Sequence, residues 1–170
     1  MKIGEQVPNI TLTAYQTGQF KKINLGDYKG KWIVLFFYPL DFTFVCPTEI
    51  KAFATKQLDF DNLNAIILGA STDSEHSHKA WFERDLPSVQ YPVLSDTTHQ
   101  LSRTFNVLKE DEGIAYRGTF IIDPEGVLRY QVVSDLNVGR SVGETLRVLQ
   151  ALQTGNLCPI DWKPGEQTLG

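Results

Sequence analysis

The chain has 170 residues, 42% of them hydrophobic and 21% charged, which suits one domain with a substantial core. A net charge of −4 offers no basic field for nucleic acid or anionic lipid, and Lys21, Lys22, Lys29 and Lys31 read as a solvated face. The polar start lacks the apolar core of a signal peptide, and the apolar run at residues 32–40 is interrupted by Pro39 and falls short of the ~20 residues of a membrane span. No nucleic acid or membrane partner is expected, and the expected address is cytoplasmic. In such a reducing compartment the only two cysteines, Cys46 and Cys158, raise a question of reactivity rather than of a permanent staple.

In chain order, "WIVLFFYP" (32–39) is the continuous apolar run of a strand covered on both faces. Residues 47–60 predict a helix with Ile50, Phe53, Ala54 and Leu58 on one face. "NAIILGAST" (64–72) predicts a second buried strand. The following helix carries Thr72 and Glu75 at capping-box spacing. Ser95 or Asp96 can cap a short helix running to Phe105. Residues 118–133 predict a hairpin that turns at Pro124, Glu125 and Gly126. Ser141 and Glu144 open a last helix, which Gly155 can end. The pattern predicts an α/β fold, a central mixed β-sheet with helices on both faces. No repeat or linker interrupts it, so residues 1–170 are expected to form a single domain, with 155–170 a turn-rich tail.

Cys46 follows the first strand and precedes Pro47, a residue suited to a helix's first turn. There the free amides and the positive end of the helix dipole favour a thiolate over a thiol. Thr43 can offer its hydroxyl to the sulfur or to an oxygen bound beside it, and Pro39 can shield one wall from water. Glu49, one turn into the helix, repels an anion but can orient a cation, for which arginine is the usual choice. Each residue alone has an ordinary structural role: a small buried hydrophobe, a helix cap, a solvated first-turn acid. The combined spacing Pro-x-x-x-Thr-x-x-Cys at a strand-to-helix junction is far more specific.

The segment "FFYPLDFTFVCPTEI" closely resembles the active-site segment of the typical two-cysteine peroxiredoxins, the group that includes the alkyl hydroperoxide reductase C component. The likeness continues through "GASTDSEHSHKAWF", "LSRTFNVLKEDEGIAYRGTFIIDPEG", "LNVGRSVGETLRVLQALQ" and "LCPIDWKPGE". It implies a thioredoxin-like fold and a thiol-specific peroxidase acting on hydrogen peroxide and organic hydroperoxides. It assigns Cys46 as peroxidatic nucleophile, with Pro39 and Thr43 lining its pocket and Arg117 as the active-site arginine. Glu49 and Arg140 match the supporting polar network, and Cys158 in the tail matches the resolving cysteine. The resemblance further implies a Cys46–Cys158 disulfide between subunits of a homodimer, a ring of five dimers in many members, and recycling by thioredoxin or a dedicated flavoprotein disulfide reductase. No metal, haem, flavin or other cofactor is implied.

The members prone to overoxidation carry a Gly-Gly-Leu-Gly loop and a C-terminal Tyr-Phe helix; residues 81–95 lack the first and the chain ends without the second. Resistance to excess peroxide is therefore expected. His76 and His78, two apart on a helix, are poor joint metal ligands and read as surface or polar packing residues. A thioredoxin-like disulfide reductase would want Cys-x-x-Cys, whereas Glu49 holds the fourth position. A holdase chaperone has no sequence feature supporting it as the sole role.

Overall fold

The computed structural model describes all 170 residues and divides into two compact units, Met1–Arg140 and Ser141–Gly170. The first begins with a hairpin, β1 (Thr11–Gln16) and β2 (Gln19–Asn24). Its two-residue turn is Thr17–Gly18, with φ of 45° and 87°. Positive φ at both positions matches the right-handed twist of the flanking strands, which is why glycine stands there. This hairpin was not among the predicted elements, although "TLTAYQ" alternates in the manner of a half-buried strand.

The strands β3 (Trp32–Phe37), β4 (Ala65–Ser71) and β5 (Val93–Ser95) run parallel in the middle of a seven-stranded sheet ordered β2-β1-β5-β4-β3-β8-β9. The strands β8 (Arg117–Ile122) and β9 (Leu128–Ser134) form the expected hairpin and pair antiparallel on the β3 side. A two-stranded ribbon, β6 (Leu108–Lys109) and β7 (Ile114–Ala115), precedes β8.

Side-chain alternation along β3 sorts two layers. Phe36 stacks on Phe53 of helix α1 (Cys46–Thr55), with ring centroids 4.3 Å apart, while Phe37 meets Phe105 at the end of α4 (Gln100–Thr104) on the other face. The helix α3 (Glu75–Asp85) joins the Phe36 face through Phe82, which packs on Tyr15. Leu12, Leu35, Leu68, Leu94, Leu101 and Phe120 belong to the core of the opposite face. The mixed sheet therefore carries helices on both faces, as expected. Each fully buried Phe or Leu contributes roughly 1.5–3 kcal/mol of transfer free energy.

Three local expectations are corrected. The helix predicted over 47–60 is two helices, α1 and α2 (Gln57–Asn62), broken at Lys56, so Leu58 is 70% exposed and Phe60 is buried instead. The break rotates the second helix and ends the predicted stripe. Ser74, not Thr72, caps α3 by accepting from the Ser77 amide, because the Thr72 hydroxyl donates to the Gly113 carbonyl. Asp96 does serve α4, accepting from the amides of Leu101 and Ser102, but Ser95 takes no part.

In the second unit, α5 (Val142–Thr154) is capped by Ser141, which accepts from the Glu144 amide, and ends at Gly155 in the left-handed conformation. Glu144 completes no capping box; its carboxylate pairs with Arg147. Trp162 is buried, its indole donating to the Glu166 carbonyl. No helix is long and apolar enough to cross a membrane.

Candidate active site

Strand β3 ends at Phe37, residues 38–45 form a loop, and Cys46 is the first residue of α1, with Pro47 next to it. Val45 provides no side-chain cap, but its carbonyl accepts from the amides of Thr48 and Glu49, at 3.0 and 3.5 Å. Cys46 itself is 0% exposed. Because β8 runs antiparallel to β3, its first residue, Arg117, arrives where β3 ends. Its Nη1 donates to Cys46 Sγ at 3.4 Å and to Glu49 Oε2 at 2.8 Å, while its Nε donates to the Leu136 carbonyl.

Glu49 also binds Arg140. The Arg140 amide and Nε donate to Glu49 Oε1 at 2.8 and 2.9 Å, and its Nη groups reach Glu49 Oε2 and the carbonyls of Gly118 and Phe37. Its guanidinium lies over the Phe36 ring, 5.3 Å from the centroid. Burial presses the Arg140 guanidinium below its ordinary value, opposed by its bonds to Glu49. Two buried cations thus share one buried carboxylate, a net charge of +1 that a Cys46 thiolate neutralises.

Thr43 is half-buried, and its hydroxyl donates to the Leu40 carbonyl at 2.9 Å rather than to sulfur. Of the two expected uses of this hydroxyl, toward sulfur or toward an oxygen bound beside it, the first is not made here; with its proton engaged, Thr43 Oγ1 presents lone pairs. Pro39 is buried at the end of β3. Cys158, in the second unit, has different surroundings. Thr154 Oγ1 gives its proton to the Ala151 carbonyl; Cys158 Sγ donates to the same carbonyl at 3.7 Å and lies 3.5 Å from the Thr154 hydroxyl. This sulfur lies against oxygens at the C-terminal end of α5, with no guanidinium donor like that at Cys46. Both cysteines are free.

Beneath the loop lies a buried network that the sequence reading did not single out. Tyr38 donates to Asp41 Oδ1 at 2.6 Å; Ser77 and His78 Nδ1 reach Asp41 Oδ2, each at 2.8 Å. His78 Nε2 lies 3.1 Å from the Leu94 carbonyl. The Asp41 amide donates to Asp73, whose carboxyl is raised above its usual range by burial and by the Asp41 charge. Burial, then Asp41, pushes the Tyr38 phenol well up. The one signal in the sequence was an acid inside an aromatic run, "YPLDFTF". His76 points away, 77% exposed, so the two histidines do not converge.

The chain matches the AhpC/TSA family over residues 3–131. It belongs to that family. It is 53% identical to mouse "Peroxiredoxin-2" over 99% of this chain and 89% of the relative. It is 50% identical to a "Putative peroxiredoxin in rubredoxin operon" of Clostridium pasteurianum, covering 98% of each. The crystal structure of the reduced Plasmodium vivax 2-Cys peroxiredoxin superposes with a TM-score of 0.95 at 35% identity, over 99% of this chain and 92% of the other. The peroxiredoxin has the thioredoxin-like fold of these proteins and is a thiol-dependent peroxidase, an oxidoreductase. Peroxide as substrate and a thiol as reductant follow from the family.

Proposed function

We propose that Cys46 is the peroxidatic nucleophile, that Cys158 resolves it, and that Pro39, Thr43, Glu49, Arg117 and Arg140 form the pocket in which the O–O bond breaks. The observation that carries this reading is the contrast between the two sulfurs. Cys46 receives a guanidinium donor inside a cluster one negative charge short of neutrality, whereas Cys158 lies against oxygens with no such donor.

The Cys46 thiolate attacks one peroxide oxygen. The O–O bond breaks, the other oxygen leaves with the bonding pair as hydroxide or alkoxide, and a proton makes it water or alcohol. Sulfur loses two electrons and becomes a sulfenic acid. In the transition state charge moves from sulfur onto the leaving oxygen, so donors must follow it. The Arg117 guanidinium and the Cys46 amide supply them without reorganising, while Thr43 Oγ1 accepts from the peroxide O–H. Pro39 keeps one wall dry.

Cys158 then attacks the sulfenic sulfur, water leaves, and a Cys46–Cys158 disulfide forms; the family likeness supports placing it between two subunits of a homodimer. A dithiol supplied by thioredoxin or by a dedicated flavoprotein disulfide reductase returns both electrons by exchange. The resolution step requires the first turn of α1 to open, because Cys46 is fully buried.

Stopped-flow peroxide reduction tests the roles. Cys46→Ser is expected to abolish both the first oxidation and turnover. Cys158→Ser is expected to keep one fast oxidation and leave a trappable sulfenic acid. Equal loss of the first oxidation in both variants would refute the assignment.

A further inference from the structure

A polar groove of about 280 Å³ opens at the same edge of the sheet as Cys46, on the far side of β4. Strand register builds it. Thr13 pairs with Lys22 of β2 on one side and with Ser95 of β5 on the other, so the three side chains stand in a row on one face. Glu75, the first residue of α3, and Thr98 close the groove. Ser95 is the last residue of β5, and open α/β sheets receive ligands beyond the carboxyl ends of their parallel strands.

Apart from one bond between Lys22 and Thr13, the groups that matter in this groove lack partners or counter-charges. Ser95 Oγ, on a residue only 5% exposed, is the one buried side-chain oxygen or nitrogen without a hydrogen-bond partner. The Lys22 ammonium meets only a neutral oxygen, Thr13 Oγ1 at 2.7 Å. The Glu75 carboxylate has only the exposed His76 near it, at 3.9 Å. A single cation and a single anion therefore line one groove without pairing to each other.

We propose that this groove binds a small zwitterion of the α-amino-acid class. The ligand carboxylate sits against the Lys22 ammonium and the Thr13 hydroxyl and accepts from Ser95 Oγ. Its ammonium donates to Glu75. A simple anion would leave Glu75 repelling it, and a simple amine would face Lys22; only a ligand carrying both charges uses both walls. The volume lies just below the ~300–1,000 Å³ of drug-sized sites, which limits the occupant to amino-acid size.

Titration of the intact, isotope-labelled protein with glycine and with L-serine tests this, reading the backbone amide shifts of Thr13, Ser95 and Thr98. Sodium acetate and ethylamine serve as single-charge controls. The expected result is saturable shifts with a Kd of about 1 mM or tighter for the zwitterions, and at least ~10-fold weaker binding of the controls. Lys22→Gln and Glu75→Gln each weaken zwitterion binding about 10-fold and leave peroxidase turnover unchanged. Ser95→Ala, which removes only the unpartnered oxygen, weakens binding while the melting temperature holds. Acetate binding as tightly as L-serine would reduce the groove to an anion site and overturn the proposal. So would unaltered affinity in Glu75→Gln, or the absence of any saturable shift up to about 50 mM.

Discussion

Glu49 is 4% exposed and holds two guanidinium groups at once, so its removal and that of either arginine have different consequences. In Glu49→Gln both cations stay buried and lose their counter-charge, which costs roughly 3–5 kcal/mol of stability. The melting temperature should fall sharply. The first oxidation should slow less, because Arg117 still reaches the sulfur. Arg117→Met removes the donor to Cys46 outright, and loss of one preorganised donor costs about 10²–10³ in rate. Stopped-flow oxidation separates the two: the methionine variant should lose far more of the first-oxidation rate than the glutamine variant. Equal rate losses in the two variants would count against the charge-balanced cluster.

Among the elements, the loop at 38–45 and the first turn of α1 hold the proposed site, and both rest on neighbours. Asp73 accepts the Asp41 amide and the Ser71 hydroxyl, yet its carboxyl is raised by burial and by the Asp41 charge. Folding therefore strengthens its hold on a proton. That contribution to stability is fully present below the ordinary carboxylate value of ~3.9 and is lost as pH rises through the raised folded value. Asp73→Asn keeps an acceptor and drops the charge, so its melting temperature should gain on the parent protein as pH is raised from about 4 to about 7. A difference that stays constant with pH would contradict this. The connection between α3 and β5, residues 86–92, is short and holds no glycine. With no glycine-rich loop packed over the start of α1, opening of that turn should be frequent and disulfide formation should outrun overoxidation. Mass spectrometry during turnover at rising peroxide should find little Cys46 sulfinic acid; its abundance at sub-millimolar peroxide would refute the expectation.

At the scale of the whole molecule, the resolving disulfide is expected to link two chains. Oxidised protein should migrate as a dimer on a non-reducing denaturing gel and return to monomer with reductant, whereas a monomeric oxidised band would mean an intrachain bridge. The alternation of apolar residues and the turn residues were enough to place β3, β4, the β8–β9 hairpin and α5. The spacing of Pro39, Thr43 and Cys46 with Pro47 marked the junction that places Cys46 at the start of α1, because these signals are local: a strand end, a helix start and a proline are written within a few adjacent residues. Partners supplied from a distance were legible only through the family likeness. Arg117 and Arg140 stand 71 and 91 positions from Cys46 and Glu49 respectively, and only the antiparallel pairing of β8 with β3 brings the first to the sulfur. The tertiary structure alone decided that the Thr43 hydroxyl gives its proton to the Leu40 carbonyl and that His78 and Asp41 brace the loop. It also decided that Lys22, Thr13 and Ser95 stand in one row. Each of these depends on which hydrogen-bond partner or strand register wins in three dimensions, a competition among groups far apart in the chain that no local pattern records.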